Sequence, residues 1–357
     1  MPSELVDFII DQCQSDSATL QVCSLVNRDW LPRTRYHLFR RINIHPKNAS
    51  AFLDLVEFPK TSSSFPFLIN AVKASVYFYG GLFNSSFAHV QRAVNLVNGA
   101  GHVNSLSFVH GHAFIINSQS SLFSPNTTIT ELTLSTFTFQ DLSALCVLLS
   151  SLPSLTSLKL EHIRFVASPS AISHDALATL PAIDSLELRD IENAYGGAPS
   201  MLPFMQSLRG SLKHLKLAGG LSEGMCLIAF ESSYNKNLMP YSADLTGLIN
   251  LESIDLDFRF KGASRNESAY QILSSPGLEL PGLSRVSMIL EHPLGDRQLL
   301  SELDKHLVGD DTLALKALNV KVVRGATPLA AMPSPEEIEE NLRQAFPFAT
   351  AQGILNV

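Results

Sequence analysis

The chain has 357 residues, of which 45% are apolar and only 17% charged, with a net charge of −7 at neutral pH. That balance suffices for a large core and excludes the disordered class, and the acidity argues against a general nucleic-acid binder. No run of eighteen apolar residues is present, so no membrane span is expected.

The first residues are apolar in places, but Glu4, Asp7 and Asp11 interrupt them and no basic segment leads in, so they do not read as a signal peptide. From Glu4 to Cys13 the pattern predicts a short amphipathic helix with Leu5, Phe8, Ile9 and Cys13 on one stripe. The turn QSDSA follows, where Ser15, Asp16 or Ser17 can cap a second helix. That helix carries Leu20, Cys23, Val26 and Trp30 along one side, with Leu25 adding apolar surface. Pro32 breaks the pattern, RTRYHLF makes a third helical turn, and INI begins a strand. Three helices this small bury too little to be stable alone, so they need the following domain or a partner.

Between Arg28 and Arg41 stand five arginines, Arg28, Arg33, Arg35, Arg40 and Arg41, against the single acid Asp29. The cluster is local: residues 1–47 carry a net charge of +1, leaving −8 for the rest. A nucleic-acid patch, a structural corner and a docking surface are the three readings. The first is the weakest, because one short patch on an acidic protein binds without sequence preference.

The run MPSELVDFIIDQCQSDSATLQVCSLVNRDW is similar to the F-box, with Pro2, Glu4, Leu5, Ile9, Leu20, Val26, Arg28 and Trp30 matching its pattern. The continuation LPRTRYHLFRRI resembles the variant common in fungal, mushroom-type F-box proteins. Met1 stands where the family usually has Leu, and Asn27 where it often has Cys. The resemblance implies that Pro2, Leu5, Ile9, Leu20, Val26 and Trp30 dock on the acidic Skp-type adaptor of a cullin-based ubiquitin ligase. The arginines would rim that interface or pin the F-box to the next domain. Read from the residues alone, a private three-helix cap with Trp30 in its core stands beside this.

Residues 48–100 are less legible: NAVKASVYFYGG holds one or two strands and SSFAHVQRAVNLVN is helical, so a repeat region is expected to start near Ile42. Beyond residue 100 the phrase apolar-x-x-apolar-x-apolar recurs eight times, from VNSLSFVH to LKALNVKV. Its aligned positions are Leu106, Leu132, Leu158, Leu186, Leu215, Ile254, Val286 and Leu318, at spacings of 26, 26, 28, 29, 39, 32 and 32. The stretches between them are helical in period; FQDLSALCVLLSSLPS can cap at Asp141 and bury Leu142, Leu145, Leu148 and Leu149. Units of this kind cannot bury their apolar face singly and stack on their neighbours.

The phrases resemble leucine-rich repeats, whose early spacing they share. They depart from the family where it places Asn or Cys after the strand, since Phe137, Ile163 and Ile191 stand there. The resemblance implies an irregular strand-helix solenoid whose turns are held by apolar packing. Outward residues between the core leucines are the candidate substrate contacts: Lys159, Glu161, Glu187, Arg189, Lys213, Lys216, Asp255 and Asp257. At the end, GATPLAAMPSPEEIEE is a proline-rich hinge entering a helix, with Ser334 and Glu337 at capping-box spacing and Ile338, Leu342 and Phe346 placed to pack on the last repeat.

Catalytic constellations are sparse. GLSEG fits a nucleophile elbow at Ser222, with Asp257 and His292 or His306 in hydrolase order. The strand before it alternates with charge, however, and no oxyanion-type glycine segment precedes it. His110 and His112 lack the further ligands a zinc site needs. No phosphate-binding loop, dinucleotide fingerprint or calcium loop occurs, and the glycine pairs at 80–81, 196–197 and 219–220 read as turns. Cys13, Cys23, Cys146 and Cys226 sit apart in apolar patterns, expected as free thiols in a reducing cytoplasm or nucleus. The sequons at Asn48, Asn84, Asn126 and Asn266 carry little weight in a Ser-rich chain.

The expected architecture is α/β: an F-box over 1–45, a leucine-rich-repeat-like solenoid over 46–324, and a hinge with a capping helix over 325–357. The expected role is non-catalytic: a substrate-recognition subunit bound to a Skp-type adaptor and through it a cullin, with no cofactor, metal, nucleic acid or membrane. A repeat scaffold that joins no ligase is the alternative, and a Ser222 hydrolase the remote one.

Overall fold

The computed structural model describes residues 2–57, 73–77, 89–90, 92–96, 103–109, 115–116, 128–166, 177–193, 202–221, 245, 247–260, 273, 280–292, 294, 297–309, 315–324 and 333–357. The fold is α/β, built on parallel strands. It divides into two compact units, one of residues 1–114, 120–137 and 151–155, the other of 115–119, 138–150 and 156–357.

The first unit opens with three helices, α1 (Ser3–Gln12), α2 (Ser17–Val26) and α3 (Leu31–Leu38). Asp16 caps α2, its Oδ1 accepting from the Ala18 and Thr19 amides at 3.0 and 3.1 Å. Pro32 lies inside the first turn of α3, where its missing N–H has no intrahelical partner to lose. Val6 and Ile10 of α1 bury against Leu20 of α2, with Cys13, Trp30 and Leu38 packed around them. The sequence stripe on α1 pointed to the neighbouring side, of which only Cys13 packs on this core. The helix is apolar on two sides, and Val6 with Ile10 takes the interior while Leu5, Phe8 and Ile9 stay exposed.

Behind these helices come β1 (Arg41–Ile44), α4 (Ala49–Glu57), β2 (Lys73–Tyr77) and β3 (Ser105–Val109). β4 (Ile115–Ile116) belongs to the second unit, and β5 (Glu131–Ser135) returns to the first. In the first unit the strands pair in parallel in the order β1-β2-β3-β5, with Ile42, Ala74, Leu106 and Leu132 in one register column. All four are buried, and burial alternates along each strand as period two requires.

The second unit repeats the same device. Its main strands are β7 (Ser157–Glu161), β9 (Ser185–Arg189), β11 (His214–Leu221), β12 (Ser253–Phe260), β13 (Arg285–His292), β14 (Ala317–Arg324) and β15 (Leu355–Asn356), paired in that order and all parallel. Leu158, Leu186, Leu215, Ile254, Val286, Leu318 and Leu355 form one register column. The six residues aligned from sequence are each no more than 2% exposed, so the spacing of the phrases is the spacing of the strands. A second ladder of two-residue strands, β6 (Thr138–Phe139), β8 (Arg164–Phe165) and β10 (Glu192–Asn193), pairs in the order β10-β8-β6-β4.

A left-handed residue follows each of β5, β7 and β9. Thr136, His162 and Asp190 have φ of 69°, 51° and 46°, and Gly219, within β11, has 81°. Such a backbone bends the chain sharply, and the next residue is buried in each case: Phe137, Ile163 and Ile191. Two of these turns are also held by the backbone, the His162 and Asp190 amides donating to the Arg189 and Ala218 carbonyls at 2.8 and 3.3 Å.

Helices described in the second unit include α5 (Leu142–Ser150), α6 (Leu202–Ser207), α7 (Arg297–Gly309), α8 (Pro335–Ala345) and α9 (Pro347–Ala351). Asp141 accepts from the Ala144 amide at 2.9 Å and starts α5, which buries Leu142, Leu145, Leu148 and Leu149. The capping box of Ser334 and Glu337 starts α8. Leu342 and Phe346 are fully buried, while Ile338 is half-buried. Asp304 of α7, itself buried, accepts from the Phe348 and Ala349 amides at 2.6 and 3.0 Å and so caps α9 across the chain. Arg297 adds bonds to Asn341 and Gln344.

Candidate functional site

The three N-terminal helices complete a small core and still leave apolar side chains in solvent. Leu5, Phe8 and Ile9 on α1 are 53%, 61% and 43% exposed, and Val22, Leu25 and Val26 on α2 are 63%, 86% and 60% exposed. Burying a side chain of this size stabilises by roughly 1.5–3 kcal/mol, so six left in water are a binding resource. Of the six anchors expected from sequence, Pro2, Leu5, Ile9 and Val26 are exposed, Leu20 is buried and Trp30 is half-buried against the core. Leu20 holds α1 to α2 and is therefore not available to a partner. Sequence reasoning missed Phe8, Val22 and Leu25 as anchors, although two full apolar sides on one short helix were visible.

The arginine cluster splits into parts. Arg33 Nε and Nη2 donate to the two carboxylate oxygens of Asp11, each at 2.6 Å, and His37 Nε2 lies 2.7 Å from Asp11 Oδ1. The fork fixes α3 to α1, and the bonds from Arg33 and then His37 hold the Asp11 carboxyl down at about 2. Arg33 also sits 5.0 Å from the Tyr36 ring centre. Arg40 reaches Gln14 at 3.5 Å. Arg28, Arg35 and Arg41 are exposed and make no ion pair among the described residues. One arginine is thus a structural corner, and three are free to meet a partner.

The candidate substrate contacts also divide. Lys159 Nζ lies 2.9 Å from Glu161 and 3.4 Å from Glu187, Arg189 bridges both carboxylates at 3.6 and 3.7 Å, and Lys216 joins Glu187 at 3.5 Å. Burial opposes the Lys159 charge, but its hydrogen bond to Glu161 and the field of both glutamates outweigh it, so its ammonium titrates above the ordinary lysine value. Five of the eight candidates, Lys159, Glu161, Glu187, Arg189 and Lys216, pair within one network. Lys213 is exposed outside this network.

Lys216, Asp255 and Asp257 line a groove of about 1240 Å³ in the second unit. Register sets Lys216, Asp255, Ser287, Asn319 and Asn356 in one polar row across five strands. Asn356 donates to Asn319 at 3.0 Å and Asn319 to Ser287 at 3.1 Å. Pro335, Ile338 and Leu355 add apolar lining.

Ser222, His110, His112 and Cys226 lie outside the described residues, Asp257 is on β12, His292 ends β13, and His306 is on α7. Among the described residues no three His, Cys, Asp or Glu side chains gather as a metal site, and no helix is long and apolar enough to cross a membrane. Cys146 is buried, and that burial, with Asp141 nearby, pushes its thiol up to about 12.

No family model and no curated protein matches the chain. It is similar to the crystal structure of a Bacteroides fragilis protein from a structural-genomics programme, at 14% identity and a TM-score of 0.35 over 86% of this chain and 72% of that one.

Proposed function

We propose that this chain is the substrate-recognition subunit of a cullin-type ubiquitin ligase acting in the cytoplasm or nucleus. The three N-terminal helices act as an F-box on a Skp-type adaptor. The stacked parallel strands act as a leucine-rich-repeat-like solenoid that holds a protein substrate. Ubiquitin transfer belongs to other subunits, so no catalytic residue is assigned to this chain.

The observation that carries this reading is the apolar set Leu5, Phe8, Ile9, Val22, Leu25 and Val26, exposed on two helices whose interior is already filled by Val6, Ile10 and Leu20. Exposed apolar anchors of this number fit a helical partner, and Arg28, Arg35 and Arg41, without an ion pair among the described residues, suit one that is acidic. The register columns support the solenoid, since each strand stacks its apolar residues on the next.

An affinity pull-down of the intact chain read by mass spectrometry tests the reading. A Skp-type adaptor is expected with the natural chain and not with Leu25→Glu plus Val26→Glu. A folded protein that captures no adaptor leaves the repeat scaffold as the function. Labelling of Ser222 by a fluorophosphonate would instead favour the hydrolase.

A further inference from the structure

Resting on the reading of the strand face as the cargo surface, we propose that the groove over β11–β14 binds an extended peptide segment of the partner. A basic side chain of that peptide sits against Asp255 and an acidic one against Lys321. Both residues line the groove, Asp255 half-buried and Lys321 exposed, and among the described residues neither makes an ion pair. The other cations of the groove are committed: Lys216 to Glu187 at 3.5 Å and Arg343 to Glu339 at 2.6 Å. An incoming charge therefore gains most at the two unpaired positions, and selectivity follows from their opposite signs.

The geometry sets the spacing of the ligand's charges. Asp255 is in register with Ser287 and then Asn319, and Lys321 stands two residues further along β14. Two strand separations and two residues of rise place the two backbone positions about 12 Å apart. An extended peptide covers that span in roughly four residues, and side chains four apart share one face. Ser287 and Asn319, bonded to each other, lie along that path by register, and Pro335 and Ile338 add apolar lining to the same groove. At about 1240 Å³ the groove exceeds the roughly 300–1,000 Å³ typical of small-molecule sites, which favours a peptide.

Fluorescence anisotropy of the intact protein with labelled nine-residue peptides tests this. The set holds Lys and Glu four residues apart in both orders, each charge alone, and a neutral parent. One doubly charged order is expected to bind about tenfold tighter than the neutral peptide. Asp255→Asn should remove the gain from Lys, Lys321→Gln the gain from Glu, and the exchange Asp255→Lys with Lys321→Glu should reverse which order binds better. Equal binding of all peptides, no binding, or variants that leave the ranking unchanged overturn the proposal. Adaptor capture, measured on the same preparations, separates the two ideas. Capture without charge-ranked peptide binding overturns only the groove, whereas ranked peptide binding without capture removes only the ligase.

Discussion

Asp11 and Arg33 join the first and third helices through two bonds of 2.6 Å, with His37 on the same carboxylate. The fork explains one of five clustered arginines and predicts a pH dependence. Asp11 titrates at about 2 in the fold against an ordinary 3.8, so its contribution is complete above pH 4 and is lost as pH falls toward 2. Urea unfolding of the natural chain and Asp11→Asn should differ at pH 5 and converge near pH 2. A difference that persists unchanged at pH 2 would contradict the role given to the carboxylate.

Leu20 and Leu25 lie on one helix with opposite duties, 1% and 86% exposed. Leu20→Ala should cost about 2–5 kcal/mol of stability, as buried leucines do. Leu25→Glu should change stability by no more than about 0.5 kcal/mol, as expected away from the core. Equilibrium denaturation checks both, and a large loss for Leu25→Glu would mean that its face is covered within the chain.

Gly219 has φ of 81°, and a Cβ built there would collide with the Asp190 carboxylate. Gly219→Ala should destabilise by about 1–3 kcal/mol from the left-handed backbone and the collision together. Adding Asp190→Gly should recover part of that loss, because it removes the collision and leaves the backbone strain. Strictly additive losses in the double variant would show that the two residues do not meet.

How much of this was legible follows from what each feature depends on. The register column from Leu158 to Leu318 could be read from sequence because a stacked strand must present an apolar residue at every repeat. The Asp141 and Ser334 caps were legible because capping is local. The interior side of α1 was not, since Val6 and Ile10 compete with Leu5 and Ile9 on equal hydrophobicity and only tertiary packing decides. The left-handed turns at Thr136, His162 and Asp190 escaped notice because none is glycine. The groove depends on which strands lie side by side and on the C-terminal wall, and that information is long-range.

Asp304 caps α9 from α7, accepting two amides in a buried setting. Asp304→Ala leaves those amides unpaired and should cost about 1–3 kcal/mol. Burial raises the Asp304 pKa above 3.8 despite the bonds from Phe348 and Ala349. The fold therefore binds this proton more tightly than the unfolded chain does, so this group's contribution declines as pH rises through its titration. Limited proteolysis should cut the variant first within residues 333–357, and an unchanged pattern would contradict the capping role.

On the proposed reading the α1–α2 face binds an adaptor while the core beneath it, Val6, Ile10 and Leu20, holds the helices. Isothermal titration of the purified chain with a Skp-type adaptor measures this most directly, comparing the natural protein with Leu25→Glu plus Val26→Glu. The natural chain should bind, and the folded variant should lose at least about tenfold in affinity, the scale of one lost apolar anchor. Equal affinity for both, or no heat of binding with the natural chain, would contradict it.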